Sequence, residues 1–295
     1  MLTGECICAL QSGERGTIKP KANFNAEQDA AALKKALEGL GTNEKIVIEI
    51  LTTRSSAQRQ LICKAYEKAT SRTLVKDLKG DTSGNFEDLL VALVTPPAEY
   101  DCHEVMRAMK GAGTKDKVLI EIFASRSNQQ IKDLSDIYFK GKSYGKRDES
   151  TTVDVNKARE DAKTLYNAGE KKWGTDESKF IEILCKKSIP HLRQTVIEYK
   201  NISGKTLQQS IEGEMSGDLE NLLVAVVKCV KSVPGYFAEL LHESMKGAGT
   251  DESTLNRIMV SRSEIDLLDI RAEFKKLYKH SLLSAIQVRN EIFNF

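Results

Sequence analysis

The chain carries one short pattern four times, and a chain made of copies folds as copies packed on one another. The four marks are Gly39-Leu40-Gly41-Thr42, Gly111-Ala112-Gly113-Thr114, Lys172-Trp173-Gly174-Thr175 and Gly247-Ala248-Gly249-Thr250. Twelve residues beyond each threonine stands a basic residue followed by serine: Arg54-Ser55, Arg126-Ser127, Lys187-Ser188 and Arg262-Ser263. Two copies share a longer tract, Ser83-Gly84-Asn85-Phe86-Glu87-Asp88 and Ser216-Gly217-Asp218-Leu219-Glu220-Asn221, at the 133-residue offset that also separates Thr42 from Thr175.

Within a copy the apolar residues recur with helical period, as at Ala31, Leu33, Ala36 and Leu37 and at Ile46, Val47, Ile50 and Leu51. Thr42 and its equivalents are expected to cap the helix that follows, with acids such as Glu44, Asp116, Glu177 and Glu252 in its first turn, where the helix dipole favours them. No stretch alternates as a strand does, so the expected fold class is all-α, in units of about five helices. The threonines lie 72, 61 and 75 residues apart and 45 residues follow Thr250, which makes the second and fourth copies short. In the second, Asp136-Ile137-Tyr138-Phe139 runs through residues 141–145 into Arg147-Asp148-Glu149 without a Ser-Gly-x-x-Glu tract. The expected boundaries are an N-terminal segment 1–23, then copies at 24–95, 96–147, 148–230 and 231–295. A helix left out uncovers its partners' apolar faces, at about 1.5–3 kcal/mol for each large side chain exposed.

Charge and hydropathy remove several classes of function. Forty-four Lys and Arg against 42 Asp and Glu leave a net charge of +2, without the basic excess of a nucleic-acid binder. The longest apolar runs, Leu89 to Val94 and Leu222 to Val227, are six residues each, far short of the ~20 a membrane-spanning helix needs. Glu5 stands where a signal peptide would be apolar, so a cytoplasmic location is expected. The six cysteines are scattered; reduced thiols are expected, with a Cys185–Cys229 disulfide as the alternative. Ser203-Gly204-Lys205-Thr206 ends like a phosphate loop but has Tyr199 where the first glycine belongs, and no nucleophile elbow or zinc-protease motif occurs. His103, His191, His242 and His280 have no ligand spacing. Nothing nominates an enzyme.

The Gly-x-Gly turns point elsewhere. Glycine admits backbone conformations closed to other residues, so successive carbonyl oxygens can converge on one point. A hard cation such as calcium accepts such oxygens, about 6–8 in all, with a carboxylate supplying charge and a bidentate grip. Forty residues beyond Gly41 is Asp81, and forty beyond Gly174 is Glu214. The same step from Gly113 reaches Val153 and from Gly249 reaches Arg289, so copies two and four are expected to bind weakly or not at all. Asp148, Asp154 and Glu291 are nearby acids, but they lie in segments that do not match.

With Met-Lys-Gly-Ala-Gly-Thr at 109–114 and 245–250, the variant Gly-Glu-Lys-Lys-Trp-Gly-Thr at 169–175, the distant acids and the Arg-Ser register, the chain from about Phe24 to Ile286 resembles the annexins. The resemblance implies four five-helix repeats in a curved disc, here with the second and fourth incomplete, and calcium-dependent, reversible binding to acidic phospholipid. Carried over by position, the first site takes the carbonyls of Leu37, Gly39 and Gly41 with Asp81, and the third those of Gly169, Lys172 and Gly174 with Glu214. Met109, Gly111 and Gly113, and Met245, Gly247 and Gly249, match the carbonyl half alone. Trp173 is either a core residue or, as its place inside a calcium loop flanked by Lys171 and Lys172 favours, an exposed ring at the lipid interface. The implied partners are anionic membranes, met at the periphery when calcium rises, and the N-terminal segment is a candidate for contact with another protein. The alternative from another class is a helical-repeat scaffold that recruits proteins without calcium.

Overall fold

The computed structural model describes residues 15–38, 41–110, 113–139, 147–171, 174–247 and 249–292. These are helical, without strands among the described residues. The first copy holds five helices: α1 (Ala26–Leu37), α2 (Glu44–Thr53), α3 (Ser56–Thr70), α4 (Leu74–Asp81) and α5 (Gly84–Val94). The second shows three, α6 (Pro97–Ala108), α7 (Asp116–Ser125) and α8 (Asn128–Phe139). The third again has five, α9 (Val155–Ala168), α10 (Glu177–Lys186), α11 (Ile189–Ser203), α12 (Leu207–Glu214) and α13 (Gly217–Lys231). The fourth has α14 (Val233–Ser244), α15 (Glu252–Arg262), α16 (Leu267–Tyr278) and α17 (Leu282–Ile292).

The Arg-Ser register marks the joint between the second and third helices of a copy. Ser55 and Ser188 cap α3 and α11, accepting from the backbone N–H of Gln58 and His191, and Ser127 and Gln130 exchange reciprocal bonds at the start of α8. The basic residue before the serine reaches back to the first helix: Arg54 grips Asp29 at 2.6 and 2.8 Å, Arg126 grips Asp101 at 2.7 and 2.8 Å, and Lys187 meets Asp161 at 3.1 Å. In the fourth copy Phe237 stands in the acid's place. Arg262 lies 4.7 Å over its ring and turns to Asp266 for its ion pair. Ser263 there ends α15 as its C-cap, with αR backbone angles, instead of starting the next helix, and its carbonyl accepts from Thr17 and Ile18 at 2.6 and 3.0 Å. Gly16 sits so close to this joint that a Cβ would fall 2.4 Å from the carbonyl carbon of Glu264.

The chain divides into two compact units, Met1–Tyr100 with Phe237–Phe295, and Asp101–Tyr236. In the first, α15 of the fourth copy packs on α5 of the first, and the core runs through Leu33, Leu51, Ile62, Tyr66, Leu78 and Leu90. Arg59, 2% exposed, ties this unit internally by donating to the carbonyls of Leu93, Leu51 and Arg54 and to Glu264 of the fourth copy. In the second unit, α13 of the third copy packs on α7 of the second, over a core of Leu165, Phe180, Leu184, Leu192, Leu207 and Leu223.

The second copy lacks counterparts of α4 and α5 among the described residues, and its own core shows the consequence. Cys102, Val105, Ile122 and Leu134 are its buried apolar members, whereas Phe123, Ile137 and Tyr138 stay exposed. The chain then hands over to the third copy: Asp148 donates to the carbonyl of Lys186, Arg147 to that of Lys187, and Asn128 to that of Arg147, each at 2.8 Å. Cys63, Cys102, Cys185 and Cys229 form no disulfide. No helix among the described residues is long and apolar enough to cross a membrane.

Candidate cation loops

Each Gly-x-Gly segment joins the first helix of a copy to the second, and all four close with the same backbone bond. Asn43 donates to Ala36, Lys115 to Ala108 and Asp176 to Ala168 at 2.8 Å, and Asp251 donates to Ser244 at 2.7 Å. The third loop spans one residue more than the others before it closes. The second glycine takes the left-handed backbone in three copies, with φ +96° at Gly41, +99° at Gly113 and +84° at Gly174; in the fourth, Gly247 has φ +91°. Gly39, Gly111, Lys172 and Trp173 lie outside the described residues.

Thr42 and its equivalents do not cap the second helix as the sequence suggests. The caps are the next residues, Asn43, Lys115, Asp176 and Asp251, because closing the loop places the threonine one position before the first helical turn. This frees the hydroxyl for a longer reach. Thr42 Oγ1 donates to the backbone carbonyl of Asp81 at 3.0 Å, and Thr175 Oγ1 to that of Glu214 at 3.1 Å. Both acids are exposed and end a short helix, α4 or α12. The chain leaves each helix through a Ser-Gly pair whose glycine has positive φ, +62° at Gly84 and +76° at Gly217. Asp81 and Glu214 are thereby held by their backbones beside the loops that carry Gly41 and Gly174.

Leu37 and Gly169 are buried at the ends of the first helices, and Gly169 is confined because a Cβ there would meet the Phe180 ring at 3.2 Å. Glu170 is not available to a cation in the same way. Ser210 donates to it at 2.6 Å and Lys205 pairs with it at 3.3 Å, so it ties the third loop to α12. That role of Glu170 leaves no mark in the sequence apart from its place in the longer loop. Among the described residues no three acidic, histidine or cysteine side chains converge. One exposed carboxylate beside a glycine loop's carbonyl oxygens is a donor set that would fit a hard ion such as calcium.

The other two copies differ. Met109 is 43% exposed, and Val153, forty residues beyond Gly113, lies in the connector to α9. The nearby acids are used locally. Asp148 accepts two bonds from Ser150, which lower its pKa, and Asp154 caps α9. In the fourth copy Met245 is buried, and the guanidinium of Arg289 donates to the Gly247 carbonyl at 2.7 Å.

The annexin family's sequence profile matches residues 28–93, 100–147, 160–226 and 236–290, one stretch for each copy. The chain belongs to the annexin family. Human annexin A3 is 52% identical over 304 aligned positions, covering 95% of this chain and 94% of that protein. That alignment is longer than the 295 residues of this annexin, so the relative carries residues that this chain lacks. Among solved structures, annexin III superposes with a TM-score of 0.90 at 51% identity, over 94% of this chain and 93% of that one. A calcium-bound annexin (Sm)1 superposes with a TM-score of 0.81 at 34% identity, over 93% and 90%.

Proposed function

We propose that this annexin binds acidic phospholipid membranes reversibly and in response to calcium, through the first and third loops. The observation that carries the reading is the threonine bracket. Among the described residues, only in the two complete copies does a hydroxyl beside the loop glycine hold the backbone of an exposed acid against the loop. The proposed ligands are the carbonyls of Leu37, Gly39 and Gly41 with Asp81, and those of Gly169, Lys172 and Gly174 with Glu214. The partial sets at Met109, Gly111 and Gly113 and at Met245, Gly247 and Gly249 contribute little. Calcium bound there supplies a positive centre with coordination positions left for phosphate oxygens.

The chain's part is to keep carbonyls and carboxylate together before either ion or lipid arrives. The positive φ of Gly41 and Gly174 and the loop-closing bonds support this for the loops, and the threonine bond supports it for the backbone of the acid. Trp173 follows as a ring that enters the headgroup layer beside the third loop. Each bound calcium adds an attachment point, and linked weak attachments raise one another's effective concentration. A protein with +2 net charge has little general attraction for an anionic surface, which leaves bound calcium to provide it. The reading implies a cytoplasmic protein that moves to membranes as calcium rises. A calcium-independent scaffold is not favoured, because it gives no reason for acids bracketed to glycine loops. The test is co-sedimentation with phosphatidylserine vesicles: the protein pellets in calcium and is released by chelator, whereas binding indifferent to chelator contradicts the reading.

A further inference from the structure

We propose that the fourth loop carries its own cation, the guanidinium of Arg289, and that this group contacts the phosphate of an anionic lipid headgroup without calcium. The inference rests on the membrane-binding reading above for the direction the loops face. Arg289 stands forty residues beyond Gly249, the step that leads from Gly41 to Asp81 and from Gly174 to Glu214. It is also the eighth residue of α17, as Asp81 is of α4 and Glu214 of α12.

At this point the copies part. After Asp81 and Glu214 the Ser-Gly pairs break the helix, but Arg289 is followed by Asn290-Glu291-Ile292, which holds no breaker, and α17 continues to Ile292. Thr250 Oγ1 is buried with no hydrogen-bond partner among the described residues, where Thr42 and Thr175 hold their acids. The side chain fills the place instead: Arg289 Nη1 donates to the Gly247 carbonyl at 2.7 Å.

Calcium sits about 2.3–2.6 Å from a ligating carbonyl oxygen. A guanidinium nitrogen at 2.7 Å from the Gly247 oxygen takes up that position and repels a second cation. The fourth loop thus has a fixed single positive charge where the first and third have an acid. One of its five N–H donors is spent on Gly247, and the guanidinium has no other partner among the described residues. The remaining planar fork matches two oxygens of a phosphate, which a lysine ammonium does not.

The experiment compares the full-length chain with Arg289→Gln and Arg289→Lys on mixed phosphatidylcholine and phosphatidylserine vesicles, at saturating calcium. Gln can still donate to Gly247 and keeps the loop, as circular dichroism melting verifies. The proposal expects vesicle affinity to fall about fivefold for Arg289→Gln, the contribution of one basic group at an anionic surface. Arg289→Lys should fall between, and the loss should persist as calcium is raised further. Unchanged affinity for Arg289→Gln overturns the proposal. So does a loss that more calcium abolishes, since the guanidinium would then act through the calcium loops. A failure of the parent reading is separate: it appears in Asp81→Asn with Glu214→Gln, which leaves the fourth loop intact.

Discussion

The hydroxyl of Thr42 donates to the backbone carbonyl of Asp81 at 3.0 Å across 39 residues of sequence, and Thr175 repeats the bond to Glu214 across the same distance. A threonine that reads as a helix cap is thus the clasp between the glycine loop and the acid. Replacing it with valine keeps the shape and removes the donor. Thr42→Val with Thr175→Val is expected to raise the calcium needed for half-maximal vesicle binding severalfold. Each change should cost about 1 kcal/mol of stability or less, the net worth of one hydrogen bond. Calcium titration and denaturant melts check the two numbers.

Two glycines of the first copy should respond with opposite sign. Gly41 has φ +96° and open space around it, so Gly41→Ala costs only the backbone strain, about 1–2 kcal/mol, and distorts the loop carbonyls. Gly80 also has open space but lies within α4 without positive φ, and Gly80→Ala is expected to stabilise by about 0.5 kcal/mol. Thermal unfolding of both variants decides it.

The ion pairs that anchor the second helices differ in burial and so in worth. Asp101→Asn removes the carboxylate that grips the guanidinium of Arg126, 2% exposed, and is expected to destabilise by about 3–5 kcal/mol. Lys187 is 41% exposed, and Lys187→Met should cost about 1 kcal/mol or less. Chemical denaturation of the two variants measures the gap.

Much of this architecture is legible in the chain because the repeat is. Helical period, the Gly-Thr mark and the Arg-Ser register fix an all-helical protein of four copies, and the 61-residue spacing between Thr114 and Thr175 exposes the short second copy. What the basic residues grip was not readable. Asp29 and Asp101 lie 25 residues upstream among many acids, and Phe237 in the same place changes the interaction altogether. Thr42 misleads for a physical reason: threonine serves equally as a cap or as a donor to a distant carbonyl, and only the loop-closing bond from Asn43 to Ala36 decides between them. Arg15-Gly16-Thr17 likewise gains meaning only in contact with Ser263, Glu264 and Asp269.

Burial of Cys63 pushes its thiol up to about 11. In the unfolded chain the group ionises near its ordinary value of about 8.5, so the folded state binds the proton more tightly. The contribution is fully present below that pH and is lost as pH rises toward 11. Melting of the wild type should fall across this window more steeply than that of Cys63→Ala.

The central claim is that calcium dependence comes from two bracketed acids. A calcium titration of vesicle binding by Asp81→Asn with Glu214→Gln, beside the wild type, tests it most directly. The account predicts that calcium-dependent binding is lost in the double variant up to calcium levels far above the wild-type midpoint, while its melting curve is preserved. A folded double variant that binds with the wild-type midpoint contradicts it.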